Sequence, residues 1–344
     1  MTKLRVGVIG LGYFSQFHLA AWHALPETAL VAACDMSPER RADVATRYDI
    51  DVFADAEQML ASGPFDIIDI VTPPPSHSVL IRASMAPERV VICQKPFCVD
   101  LSEAERMTDE AEAARCPVVI HENFRFQPWY RAAKGFLAQN DIGQIYNARF
   151  ALRPGDGRGP DAYLSRQPSF QSMERFLIHE TAVHFIDLFR YFLGPVTEVY
   201  ADLRQLNPAI AGEDAGVMML SHRSGAQSIF DGNRLSDHET DAPRRTMGEF
   251  ELEGEAGALR LDGYGTLRFR GFGAETWQPI EIKEPVDPDQ FGGGCVAALC
   301  RHVAQAKIAG TAFENTARDY LEVLRIEDAA YLSDHEARRV SLIP

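Results

Sequence analysis

No two cysteines in this chain are spaced C-x-x-C, and the six present (Cys34, Cys93, Cys98, Cys116, Cys295, Cys300) mostly stand in apolar runs. Buried reduced thiols are therefore expected, with no disulfide framework and no metal site. No apolar run approaches the roughly eighteen residues that a spanning helix needs, so no membrane segment is predicted. Basic residues are scarce, 34 against 49 acidic ones for a net charge of −15. That balance argues against nucleic acid or an anionic membrane as a partner. There is no G-x-S-x-G elbow, which removes the main support for a serine hydrolase. There is no internal repeat and no low-complexity tract. The opening M-T-K-L-R-V-G-V runs straight into a strand pattern, leaving no room for a signal peptide, and a cytoplasmic location is expected.

What is present starts at Lys3. K-L-R-V-G-V-I-G is a short apolar run with β-branched residues, and it continues into G-L-G-Y-F-S at Gly10–Ser15. A strand that ends on Gly10 and Gly12 and opens a helix is a device for holding a pyrophosphate. The first glycine permits a tight turn, the second lets the backbone approach the phosphates, and the helix N-terminus supplies N–H donors. A second strand, A-L-V-A-A-C, ends in Asp35, twenty residues past Ser15. An acid there can accept the hydroxyls of an adenosine ribose and would repel a 2′-phosphate, so NAD is expected rather than NADP. Arg40 and Arg41 read as solvated helix residues. Ser15 occupies the position usually held by Gly or Ala and is small enough to fit.

At 344 residues the chain has room for two domains. Strands and helices alternate over residues 1–122, which predicts a doubly wound parallel sheet of the Rossmann kind. Within it Phe65–Val71 is a strong strand, Ser76–Ala86 a helix and Val90–Cys93 a strand. The pattern changes over 123–344. Phe126–Asn140 reads as a helix, Ile145–Leu152 as a strand, and Arg153–Ser169 as a Gly- and Pro-rich loop of functional potential. Phe176–Leu193 reads as one long helix stopped by Gly194-Pro195. Several strands with tight turns follow as far as Ile282, the last at Trp277–Ile282. They predict a large, mostly antiparallel open sheet in an α+β domain. The C-terminus returns to helix and can pack back on the first domain.

Two further segments carry chemistry. Gln94-Lys95-Pro96 follows a strand of the parallel sheet, at the carboxyl edge where such sheets place ligands. Glu180, His184 and Asp187 share one face of the predicted helix, where carboxylates can orient an imidazole as a proton acceptor. A surface lysine and a salt-bridged helix are the plainer alternatives. The string H-E-T-A-V-H is no zinc-protease motif, because His179 and His184 are five apart, about 140° round a helix.

G-L-G-Y-F-S, Asp35, Thr72-Pro73-Pro74 with His77, Lys95-Pro96 and the acid-x-x-x-His-x-x-Asp helix together resemble the glucose–fructose oxidoreductase/inositol dehydrogenase (Gfo/Idh/MocA) family. I-C-Q-K-P-F, H-E-N-F-R-F and G-E-D are most similar to its D-apiose dehydrogenase branch. The resemblance implies an NAD-dependent oxidoreductase moving hydride between a sugar or polyol hydroxyl and nicotinamide. It implies a homodimer or homotetramer formed through the second sheet. Gly10, Gly12, Tyr13, Phe14, Asp35, Thr72, Pro73, Pro74, His77, Gln94, Lys95 and Pro96 would bind the cofactor. Lys95, Glu180 and His184 would be catalytic, with His184 taking the proton. Asn123, Arg125, Arg153, Tyr163 and Gln167 would join them in contacting substrate. The chain departs from the family pattern at Gln94 (usually Glu), Glu180 (usually Asp) and Ala182 (commonly Gly). Alternatives are a reductase of another carbonyl substrate and a non-catalytic dinucleotide-binding regulator.

Overall fold

The computed structural model describes residues 2–140, 142–287 and 290–342. The chain divides into two compact units, one of residues 1–123 with 296–322 and one of 124–295 with 323–344.

The first unit is built on strands β1 (Leu4–Ile9), β2 (Thr28–Cys34), β3 (Asp51–Phe53), β4 (Ile67–Ile70), β5 (Val90–Cys93) and β6 (Val118–Ile120). All neighbouring pairs are parallel, in the order β3-β2-β1-β4-β5-β6. That is the dinucleotide-binding order, in which the strand order reverses between β1 and β4. The connecting helices are α1 (Ser15–Ala24), α2 (Pro38–Tyr48), α3 (Ala56–Ala61), α4 (His77–Ser84) and α5 (Leu101–Ala113). Local chemistry sets their starts. Ser37, Asp55 and Asp100 each accept a backbone N–H from the first turn of α2, α3 and α5. A single 3₁₀ turn at Pro74–Ser76 precedes α4, its prolines at first-turn positions where no intrahelical N–H is needed. β4 and β5 are buried at every residue, as strands covered on both faces must be.

The second unit contains α6 (Pro128–Gln139), β7 (Ile145–Leu152), α7 (Val183–Leu193), β8 (Val196–Arg204), β9 (Ala215–His222), β10 (Gln227–Asn233), β11 (Gly248–Gly254), β12 (Gly257–Leu261), β13 (Leu267–Gly271) and β14 (Gln278–Pro279). Helices α8 (Cys295–Ala309) and α9 (Ala317–Glu336) follow, then β15 (Val340–Ser341). The division between units falls at the start of α8 and within α9. The sheet has nine strands in the order β14-β13-β12-β11-β7-β10-β9-β8-β15. It is antiparallel except where β7 runs parallel to β10. Burial alternates along β9, β10 and β11, so one face is core. Phe150 and Phe230 on that face pack on Phe185 of α7, with the Phe150 ring stacked at 3.8 Å.

Two expected elements differ. The strand foreseen at Trp277–Ile282 is only Gln278–Pro279, an exposed edge where Pro279 has no N–H to donate. The helix foreseen over Phe176–Leu193 is wound as a π-helical turn at Leu177–Ala182 and as α-helix only from Val183. All six cysteines are buried and none is in a disulfide. Among the described residues no helix is long and apolar enough to cross a membrane.

His222, at the end of β9, shows how this unit meets acid. Its Nδ1 lies 2.9 Å from the Gly194 carbonyl and its Nε2 2.8 Å from the Ser228 hydroxyl. Burial pushes its pKa below the usual imidazole value, against the pull of the Gly194 carbonyl. The unfolded chain therefore binds a proton more readily. The stabilisation is complete above about pH 6.5 and is lost as the pH falls towards the folded-state value. Denaturant midpoints measured from pH 7 to 5 should fall, and fall less steeply in His222→Gln; equal slopes would remove His222 from the acid response.

Candidate functional site

In the first unit the glycine turn is dictated by packing. Gly10 has φ +96°, and a Cβ there would stand 2.7 Å from the Val71 carbonyl oxygen. A Cβ on Gly12 would meet nothing within 4 Å, so the turn leaves open space at the N-terminus of α1. Ser15 is buried and its hydroxyl donates to the Gly12 carbonyl at 2.7 Å, closing the turn onto the helix. Tyr13 is exposed, and Phe14 packs on Phe17. The Asp35 carboxylate is fixed from both sides, Oδ2 accepting from Leu11 N and Oδ1 from Ser37 N, each at 2.8 Å. Each oxygen keeps a lone pair for a further donor. A helix N-terminus, open space over Gly12 and a rigid acidic acceptor fit a dinucleotide. Arg41 is no solvated residue. Its guanidinium donates to the carbonyls of Asp35 and Met36, at 2.7 and 3.0 Å, and so helps set that loop. Arg40 stays largely exposed, 3.6 Å from Asp35.

Sheet order places β2, β1, β4 and β5 side by side. The segments that follow them therefore form one edge: Gly10–Phe14, Asp35, Thr72–His77 and Gln94–Pro96. There the Ser76 hydroxyl donates to Thr72 Oγ1 at 2.7 Å. The His77 ring is set between the carbonyls of Thr72 and Phe97, 2.7 and 3.1 Å away. Burial pushes its pKa down, although those carbonyls pull the other way. Lys95 and Pro96 are joined by a cis peptide bond. Gln94 is buried and its Nε2 lies 2.8 Å from His18 Nε2.

In the second unit the π-helical turn carries Glu180 and leads into His184 at the start of α7. π-turns are uncommon and collect at functional positions. Here an outside carboxylate holds the turn open. Glu213 Oε1 accepts from Phe176 N and Ile178 N, each at 3.1 Å, and from the Tyr331 hydroxyl at 2.6 Å. His179 Nδ1 is 2.6 Å from Glu327. Burial, together with the Glu213 charge, pushes the Tyr331 phenol far up and keeps it a donor. The His184 ring stacks on Phe124 at 3.9 Å with the planes 2° apart, which fixes its plane.

Several expected substrate contacts are committed elsewhere. Asp187 serves Arg125. Its carboxylate is fully buried and takes a two-pronged pair from Arg125, Nε to Oδ2 at 2.8 Å and Nη2 to Oδ1 at 2.5 Å. The idea of one continuous α-helical face fails at Ala182, where the winding changes. Arg153 donates to the carbonyls of Leu152 and Asp231 and pairs with the Asp231 carboxylate at 2.8 Å. Tyr163 is buried between Phe170 and Phe176 with its hydroxyl on Asp156. Gln167 accepts from Arg166 Nε at 3.1 Å. Asn123 is buried, and its Oδ1 has no hydrogen-bond partner among the described residues.

Glu213, Tyr331 and Asp69 were not foreseen as supports. For Asp69 a signal existed, an acid inside the apolar string F-D-I-I-D-I-V. Glu213 stood only within the string G-E-D, with nothing to show its role, and Tyr331 had no signal, since each meets its partners across more than thirty residues of chain.

Residues 4–122 match the family model for the oxidoreductase family with an NAD-binding Rossmann fold, and residues 130–260 the GFO/IDH/MocA C-terminal domain. The chain is 32% identical to a D-apiose dehydrogenase of Paraburkholderia graminis over 99% of its own length and 90% of the relative's. It is 31% identical to one from Rhizobium rhizogenes, over 99% and 98%. A crystal structure of an oxidoreductase from Agrobacterium radiobacter in complex with NAD+, L-tartaric acid and magnesium superposes with TM-score 0.89. It is 30% identical, over 99% of this chain and 98% of that one.

The Arg125–Asp187 pair carries a direct consequence. Removing one partner strands the other charge in the interior. Asp187→Asn is expected to lower the unfolding free energy by about 3 kcal/mol, read from urea midpoints at unchanged slope. The double change Arg125→Met with Asp187→Leu should recover most of the loss. A single variant as stable as wild type would show that the pair is dispensable.

Proposed function

As the chain belongs to the GFO/IDH/MocA family and is an NAD-dependent oxidoreductase acting on CH–OH donors, we propose that its substrate is a small cyclic aldose, D-apiose or a near relation. The observation that carries this reading is the match over 99% of the chain to D-apiose dehydrogenases of two genera, which spans the segments that bear every candidate residue.

Bound NAD supplies a hydride acceptor at the nicotinamide ring. The chain's own residues do the remainder. His184 accepts the proton of the reacting hydroxyl as the C–H bond gives up its hydride, so that a hemiacetal carbon becomes a lactone. Its ring is held face-on to Phe124, which leaves only rotation in that plane. Lys95 donates a hydrogen bond to the reacting oxygen and stabilises the charge that develops there. Glu180 orients a substrate hydroxyl. Gly10, Gly12 and Asp35 hold pyrophosphate and adenosine ribose. Of the other residues expected at the substrate, Asn123 is the one to retain, since its buried Oδ1 calls for a donor. The protein works in the cytoplasm as a homodimer or homotetramer. The outward face of the second sheet supports that assembly, because Tyr200, Met219 and Ile229 stand there in one cross-strand row. Light scattering on the purified protein reads its size, and a monomer would remove the assembly.

A panel of aldoses, cyclitols and D-apiose with NAD, followed at the NADH absorbance, tests the substrate. D-apiose should give the highest kcat/KM, and a cyclitol in first place would overturn the choice. His184→Ala should lower kcat by roughly two to four orders of magnitude with NADH affinity little changed. Unchanged turnover would remove His184 from the chemistry.

A further inference from the structure

β4 places Asp69 in the interior, with no exposure at all. Burial alone would raise its carboxyl pKa. Hydrogen bonds from His18 and Trp22 work against burial, and the carboxyl is held below the usual range. Asp69 is thus a carboxylate, which only accepts. Its Oδ2 receives Trp22 Nε1 and His18 Nδ1, each at 2.7 Å, so the Nδ1 of His18 carries a proton. On the other side of the same ring, Nε2 lies 2.8 Å from the amide nitrogen of Gln94. An amide NH₂ only donates, so Nε2 is the bare acceptor. His18 is therefore a neutral imidazole in one tautomer, and each orientation in the chain Asp69, His18, Gln94 forces the next.

The last link matters because Gln94 directly precedes Lys95 on the edge described above. With its NH₂ end held by His18, the carboxamide turns its oxygen away from the imidazole. We propose that Asp69 and His18 are positioning residues that lock the Gln94 carboxamide, so that it presents an uncharged acceptor beside Lys95. The proposal deepens the dehydrogenase reading and rests on it for the role of Lys95. It also explains why a carboxylate at position 94 would not be equivalent. Glutamate has no N–H to give to a bare Nε2. It would draw a second proton onto His18 and leave two carboxylates sharing one imidazolium.

The other titratable groups facing His18 are His121, whose ring centroid is 4.1 Å away and tilted by 40°, and Cys300 on α8. Ligand atoms of His18, His121 and Cys300 all lie within 4.8 Å of one another. A soft divalent metal there would compete with Gln94 for His18 Nε2, so metal binding is the arrangement that excludes the lock.

The test reads the ring nitrogens directly. Protein labelled with ¹⁵N-histidine, without cofactor, gives the protonation state of His18, assigned by its loss in His18→Gln. Expected are a protonated Nδ1 and a bare Nε2, and a changed pattern of ring protonation in Gln94→Glu. An imidazolium or an Nε2-protonated ring in wild type would overturn the proposal. So would a shift of the Nε2 signal on adding one equivalent of Zn²⁺. In turnover, Gln94→Glu should lower kcat about tenfold, and Asp69→Asn should act in the same direction. If Asp69→Asn does not fold, Gln94→Glu still decides. A Gln94→Glu enzyme with wild-type kcat would sink the positioning role and leave the dehydrogenase standing. A wild-type protein inactive on every sugar, with the expected tautomer, would sink the dehydrogenase and keep the lock.

Discussion

A carboxylate taken out of water must be met by donors in fixed positions, and this requirement organises both units of the chain. Asp69 is met by an imidazole and an indole. Asp187 is met by a guanidinium. Glu213 is met by two backbone N–H groups and a phenol. Asp214 is met by the N–H groups of Leu206 and Asn207, at 2.7 and 2.8 Å. Of these, spacing singled out only Asp187, as a carboxylate able to orient His184. Three of them hold a segment that carries a candidate residue: Asp69 the approach to Gln94, Asp187 the start of α7, Glu213 the turn that bears Glu180. The cost of burying these charges is offset by what they make rigid, and a preorganised site is one whose geometry does not have to be re-formed at each turnover.

The nucleotide half was legible because its signals are local. A strand that ends on Gly10 and meets the Val71 carbonyl tolerates no side chain there, and that constraint is written in the residue type itself. Asp35 follows β2 at a fixed interval for the same reason. The second sheet was legible from alternation and turns. The edge of that sheet was not, because Trp277–Ile282 has strand composition but an exposed proline in its middle.

The helix that bears Glu180 and His184 was legible in composition and misleading in geometry. A run such as Glu180, His184, Asp187 has helical spacing on paper. Whether Asp187 serves the imidazole or an arginine 62 residues away is decided by tertiary contact, to which spacing is blind. The π-turn is likewise invisible, since its cause lies in Glu213 and Tyr331. The loop Arg153–Ser169 teaches a related lesson. Its Gly and Pro content marked it as functional, yet Arg153, Tyr163 and Gln167 spend their polar groups on Asp231, Asp156 and Arg166. A loop rich in polar side chains can be using them to hold its own shape.

The two departures from the family pattern gain a physical reading from these surroundings. Gln94 faces an imidazole whose proton is already claimed by Asp69, so a neutral donor is the group that fits. Glu180 sits where the helix is wound wide, and its Cα is displaced from the place an α-helical turn would give it. The extra methylene of glutamate over aspartate must therefore be judged against that displaced backbone and not against a regular helix. A longer side chain on a widened turn can return the carboxylate to a reach that aspartate has on a tight one. On that view the residue at 180 and the Glu213–Tyr331 brace form one unit of specificity. On the proposed mechanism, an exchange of the side chain alone, with the brace left in place, would alter the distance to a sugar hydroxyl without altering the role given to His184.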